Sequence, residues 1–127
     1  MLFAPGLNSS LYWSDEVMIS PSAKYLWATS RAHKAGTPGY ISAFSISPTT
    51  GSIEEQLFLT ETTTSGGAAN AVAPAPFSDE FVALTDTEKG FVQIWQLNTC
   101  DDGASAEVVA EISLPGGGCC ANAVWYG

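Results

Sequence analysis

The sequence predicts an all-β fold, an incomplete β-propeller of two four-stranded antiparallel blades plus one orphan C-terminal strand. Three observations predict it. The tetrapeptide Ala69-Asn70-Ala71-Val72 returns 52 residues later as Ala121-Asn122-Ala123-Val124, and the strand-like runs around it return as well. A period of about 50 residues built from short strands marks a repeat architecture. No helical period survives along the chain. Charged residues make up only 13% of the composition, and 12 Gly and 7 Pro help to fill the gap, which suits many short strands joined by turns.

The elements follow in order. Residues 1–14 carry Pro5, Gly6, Asn8, Ser9 and Ser10 and read as a lead-in loop. The first blade occupies residues 15–62. It opens with the apolar run Val17-Met18-Ile19, stopped by Ser20-Pro21-Ser22. Tyr25 to Thr29 forms a second strand, rich in aromatics. A polar loop from Arg31 to Thr37 leads to Pro38-Gly39. The third strand, Tyr40 to Ile46, is followed by the turn Ser47-Pro48-Thr49-Thr50-Gly51. The fourth runs from Ile53 to Leu59, where Glu54 and Glu55 suit an exposed edge.

The second blade, residues 63–115, restates this pattern. Ala69 to Ala73 matches the first strand, and Pro74 to Ser78 matches its turn. Phe81 to Thr85 matches Tyr25 to Thr29. Phe91 to Leu97 matches Tyr40 to Ile46, each after a glycine (Gly90, Gly39). Asp101-Asp102-Gly103 supplies the next turn and Val108 to Ile112 the fourth strand. Residues 116–127 then hold a single strand, Ala121 to Tyr126, expected to close a blade begun upstream. A small β-sandwich is the alternative, and the register of the repeat argues against it. Two blades fall short of a closed ring, so the chain is expected to be the C-terminal third of a larger propeller.

Composition limits the function classes. Four Lys+Arg stand against thirteen Asp+Glu, a net charge of −9. Such a surface repels phosphate backbones and anionic lipid, so neither nucleic acid nor a membrane is the expected partner. Association between copies of the chain stays open. Cys100, Cys119 and Cys120 lack the spacing of a disulfide framework or a zinc site and read as free thiols of a cytoplasmic protein. No metal site is expected.

The one concentration of positive charge is Arg31, His33 and Lys34, which includes the only Arg and the only His. In the blade reading these residues lie in the loop between the second and third strands. An arginine there can hold a carboxylate in a bidentate fork. The competing reading is a solvated polar loop, which weighs most on His33 and Lys34. Asn70 and Asn122 read as strand-end ties, and Trp27, Trp95 and Trp125 as packing between blades.

Taken together, YLWATSRA, GYISAF, GSIEEQLFL, TSGGAANAV, PFSDEFVALTD and the ending NAVWY resemble the fungal 3-carboxy-cis,cis-muconate lactonizing enzymes, the carboxy-muconate cyclases of the lactonase-like seven-bladed propellers. The resemblance runs from about residue 16 to the C-terminus and covers the last third of the family's length. It implies a cofactor-free cycloisomerase of aromatic catabolism that takes a polycarboxylate substrate. It assigns Arg31 alone a catalytic and substrate-binding role; His33 is a candidate substrate contact by its place two residues on, and does not match a family position. The other catalytic groups would lie upstream, so the chain alone is expected to be inactive and its standing as an enzyme stays open. Ala68 departs from the family's S-G-G-H-x-N-A-V pattern, which points to a paralogue with a different substrate. A sugar-lactone hydrolase and a non-catalytic binding propeller are the alternatives.

Overall fold

A computed structural model describes residues 1–63, 71–100, 103–114, 116 and 121–127. After a short 3-10 turn at Ser9–Leu11 come eight strands: β1 Tyr12–Ile19, β2 Tyr25–Ala32, β3 Tyr40–Ile46, β4 Ile53–Glu61, β5 Val72–Pro74, β6 Phe81–Asp86, β7 Phe91–Cys100 and β8 Gly103–Ser113. They form two antiparallel meanders, β1-β2-β3-β4 and β5-β6-β7-β8. The registers of the two sheets coincide. Val17 pairs with Ala28, and Ala28 with Ser42; Val72 pairs with Leu84, and Leu84 with Gln93. Phe81 therefore occupies the place of Tyr25, and Phe91 that of Tyr40, as the repeat predicts.

The sheets pack face to face, with β1 beside β5 and β4 beside β8. Alternation along each strand sends one set of side chains into the gap. Tyr25, Trp27, Ile41, Ala43 and Phe58 of the first sheet meet Val72, Val82, Leu84, Trp95 and Leu97 of the second in one buried cluster. Trp27 and Trp95 thus pack between the blades, as expected. The cluster's polar neighbour Gln93 is satisfied: the buried amide donates to Thr63 (2.9 Å) and Glu111 (2.7 Å) and accepts from the Trp95 indole (3.2 Å). Thr63 leaves the first sheet just after β4, so Gln93 also ties the second sheet to the exit of the first.

Turn chemistry sets the strand ends. Gly51 and Gly90 both take positive φ (73° and 72°) where their hairpins turn, a conformation that costs glycine little. Asp86 caps the second of these turns, accepting from the amides of Glu88 (2.9 Å) and Lys89 (3.0 Å). Asn8 caps the 3-10 turn by accepting from Ser10 N (3.0 Å).

The first sheet's far face is covered by its own lead-in. Ser30 donates to the carbonyl of Leu2, and the Gln56 amide exchanges hydrogen bonds with the amino group (3.0 Å) and carbonyl (2.6 Å) of Met1. Phe3 stacks on Tyr12 at 5.4 Å, and Tyr12 leans on Tyr40 at 5.7 Å. Tyr40 is buried and donates to Glu61 (3.1 Å). Burial first, and then this carboxylate, raise its phenol to about 12.

Three sequence expectations are corrected. β1 begins at Tyr12, inside the expected lead-in loop, because a bulge hides its early half from any alternation count. The cationic residue Arg31 lies within β2, not in the loop that follows it. Ala121 to Tyr126 does not form a strand: a strand needs a neighbouring backbone to pair with, and this segment instead docks by one side chain. Its Trp125 indole donates to the Ala73 carbonyl (2.8 Å) and meets Phe77 edge-on. Ala69, Asn70, Asp101, Asp102, Cys119 and Cys120 lie outside the described residues; Cys100 is a free, exposed thiol.

At the turn end of the blades a latch joins the two sheets. The Asp79 carboxylate accepts from the Ser22 amide (3.0 Å) and hydroxyl, while its own carbonyl accepts from the Trp27 indole (3.3 Å). Ala23, next in the turn, holds the left-handed conformation (φ 58°). Desolvation pushes the Asp79 carboxyl up, but the hydrogen bonds from Ser22 and Ser20 outweigh it and hold the group below 3.8.

Two predictions follow from these groups. A depressed carboxyl contributes stability above its unfolded pKa and loses it as pH falls through the folded value. Acid unfolding below about pH 4 should therefore lose one stabilising step in Asp79→Ala, and thermal melts at pH 7 should show that variant less stable by about 1 kcal/mol. Tyr40 carries the opposite sign. Its stabilisation is complete below about pH 10 and fades toward pH 12. An ultraviolet titration of the phenols should show one tyrosine ionising well after the exposed ones, and Tyr40→Phe should remove that late step.

Candidate functional site

The candidate site grows from the pairing of β1 with β2. Trp13 and Arg31 are direct cross-strand partners, and such pairs on one face are close enough for their side chains to meet. The Arg31 guanidinium lies over the Trp13 ring, 4.9 Å from its centroid. His33, just past β2, stacks on the same indole at 3.7 Å with a tilt of 38°. The His33 amide donates to the carbonyl of Leu11 (2.9 Å), which fixes the chain as it leaves the strand. Arg31, His33 and Trp13 thus form one cluster of a cation, an imidazole and an indole.

A β-bulge supplies the fourth member. The register slips between Ser14 and Val17, so Asp15 and Glu16 together face the single residue Thr29. A bulge of this kind re-aims the side chains of the extended strand. Asp15 reaches Arg31, with Oδ1 3.8 Å from Nε. Glu16 turns to the second sheet, where Oε2 accepts from the Val72 amide (2.9 Å). Two consecutive carboxylates therefore do two different jobs. One forms a loose ion pair with the arginine, and the other fastens β1 to β5.

Arg31 shares its face of β2 with Thr29 and Trp27, the face turned to the second sheet. It sits at the strand end from which the loop to β3 departs. The exit of β4 lies at the same end, for Thr62 and Gly39 exchange hydrogen bonds (2.9 and 3.1 Å). The arginine side chain is 29% exposed and that of Asp15 17%, while Trp13 is 48% exposed. The group is thus half-sunk, where ionic contacts are less screened than on an open surface.

Of the residues singled out in the sequence, Arg31 and His33 are brought together through Trp13, and Lys34 stays exposed in the loop. Trp13 and Asp15 were not foreseen. An exposed Trp two residues before an acidic pair, opposite the only arginine, is the signal that could have found them. Ala68 lies outside the described residues. Among those described, no three His, Cys, Asp or Glu side chains gather as a metal ion would require, and no helix is long and apolar enough to cross a membrane. An open depression of about 660 Å³ lies at the other end of β2, lined by turn residues from Ser22 to Tyr25 and Ser45 to Pro48. Ser22, Lys24, Ser45 and Ser47 are part of its lining, but neither Arg31 nor His33 is, and its size alone does not make it the site.

The arrangement can bind an anion. The guanidinium offers planar donors, and the indole and imidazole beside it offer flat faces to a conjugated group. The cluster can hold and polarise a carboxylate. With His33 exposed and Arg31 permanently charged, nothing in it is placed as a dedicated proton donor to carbon.

No protein-family profile matches the chain. Among curated proteins it is 41% identical, over 122 residues and 96% of its length, to the carboxy-cis,cis-muconate cyclase of Neurospora crassa. It is 40% identical, over 108 residues and 81% of its length, to muconate cycloisomerase 1 of Cutaneotrichosporon cutaneum. The chain spans 32% and 28% of the lengths of these two relatives.

Proposed function

The chain belongs to the family of the fungal carboxy-cis,cis-muconate cyclases, and from that premise we propose that it supplies the carboxylate-binding arginine of a muconate-type cycloisomerase. The observation that carries the reading is the 41% identity to the Neurospora cyclase over nearly the whole chain. The Arg31 cluster gives that identity a chemical content.

In the proposed reaction a carboxylate oxygen of the substrate bonds to a carbon of its own conjugated double bond. The π electrons move to the neighbouring carbon, which takes a proton. Substrate and lactone have the same atoms apart from the proton balance, and nothing is oxidised, so the chemistry calls for no redox cofactor. Arg31 holds a carboxylate and stabilises the negative charge as it shifts during ring closure. Trp13 and His33 offer flat surfaces to the conjugated chain. Proton delivery is left to a general acid elsewhere in a longer protein, so the 127-residue chain is inactive alone. That longer protein would cover the apolar far face of the second sheet, where Ile112 is 60% exposed. We place it in the cytoplasm, where an exposed thiol such as Cys100 stays reduced.

A chimera tests the proposal. The matching third of the Neurospora cyclase is replaced by this chain, and lactonization of 3-carboxy-cis,cis-muconate is followed by loss of the diene's ultraviolet absorbance. The chimera should turn over, and Arg31→Ala within it should lower kcat/KM by about 100-fold or more, the usual effect of removing one charge-stabilising donor. A folded chimera without turnover would contradict the substrate, and Ala68 would then mark a different one. Unchanged kcat/KM in Arg31→Ala would contradict the role of the arginine.

A further inference from the structure

We infer that Asp15 is a positioning residue for Arg31, and that the β-bulge at Asp15–Glu16 pins the backbone that carries it. The inference rests on the reading of Arg31 as the carboxylate-binding group.

An arginine side chain has four soft torsions, and ordering it against a ligand costs conformational entropy. That cost is lower when the planar head is fixed beforehand. In this chain the head is fixed from two directions. The head lies over the Trp13 indole, with Cζ 4.9 Å from the ring centroid, and the Asp15 carboxylate stands 3.8 Å from its Nε. The two contacts thus come from different residues of β1, one an aromatic face and the other a charge. Without the bulge the alternation of β1 would still bring Asp15 to the face of Arg31, but Glu16 would fall on the opposite face. The bulge keeps both acids on the side of the second sheet. There the Glu16 bond to the Val72 amide (2.9 Å) anchors the bulged backbone, and the Glu16 amide donates to Thr29 Oγ1 (3.4 Å). The carboxylate that orients Arg31 thus stands on a backbone pinned to both neighbouring strands.

An acid beside the arginine also repels an anionic ligand. Its presence is a net gain only if orientation outweighs that repulsion, so the sign of the effect is decisive. At 3.8 Å the contact is a loose ion pair, of a size expected to change affinity by up to about fivefold.

The test uses the 127-residue chain. Arg31 is its only arginine, so the Nε–Hε correlation of a ¹⁵N-labelled sample is one assignable signal. Hydrogen exchange of that proton at neutral pH should be faster in Asp15→Asn than in the wild type, and Asp15→Glu should restore part of the protection. Unchanged exchange in Asp15→Asn would overturn the inference without need of any ligand. The second readout is binding of aconitate, a planar unsaturated tricarboxylate, followed by the same signal. Asp15→Asn should weaken it by about fivefold, and Glu16→Gln, which keeps an acceptor for Val72, should leave it unaltered. Equal or tighter binding in Asp15→Asn would overturn the inference, making Asp15 a competitor of the ligand. Failure of the wild-type chain to bind aconitate, or binding that survives Arg31→Ala, would instead count against the arginine reading, and the exchange comparison would still decide Asp15.

Discussion

Everything in this chain depends on the contact between its two sheets. Neither meander has a second apolar layer of its own, and a four-stranded sheet is stable only when one face is covered. Trp27, Ile41 and Leu84 are fully buried because the opposite sheet covers them. The contact is not purely apolar. Asp79, Gln93 and Glu16 each carry a hydrogen bond from one sheet to the other or to its connector. Apolar burial is non-directional, so it holds the sheets together without fixing how they slide. The three polar ties fix the register, one at the turn end, one at the connector and one at the inner strands.

The third tie couples packing to the candidate site. Glu16 and Asp15 are neighbours on one bulge, so the force that joins β1 to β5 is applied one residue from the group that holds Arg31. A shift between the blades would be felt at the guanidinium, and a well-packed interface would keep it still. On the proposed reading of Arg31, this is a reason for a binding arginine to sit on a strand at a blade junction and not in a loop. Rigid elements hold a functional group more precisely than loops do.

Much of the fold is legible from the sequence because repetition supplies a second reading of each element. Tyr25 to Thr29 alone could be a buried strand or a piece of helix. Its recurrence as Phe81 to Thr85, with the same turn before it, removes the ambiguity. Where the repeat is broken, legibility fails. β1 shares little sequence with the second blade before Val17, since the bulge inserts a residue and shifts the alternation, so Trp13 fell into the apparent lead-in loop and Asp15 at the first position of the blade. Ala121 to Tyr126 repeats a strand sequence but pairs with no strand among the described residues, because pairing is a property of two backbones and not of one segment's sequence. The site was half legible. Arg31 stood out by being the only arginine, but its partners are chosen by cross-strand register, which short-range patterns do not encode.

The charge balance gives the cluster its physical problem. A net charge of −9 on 127 residues sets a field that opposes the approach of a polycarboxylate. Salt screens that field over about 8 Å at physiological ionic strength, so an anion feels mainly the charges near its landing point. A single arginine can therefore act as an anion site in an acidic protein if its immediate surroundings are not acidic and its charge is not fully dispersed in water. The surroundings of Arg31 meet this condition only in part. Trp13 and His33 supply flat rings on one side, but Asp15 brings a negative charge to the other. One acid at the Nε edge is tolerable where it costs less in repulsion than it contributes in orientation. Two would not be, and the hydrogen bond from the Val72 amide keeps the second acid, Glu16, committed to the backbone of the next sheet.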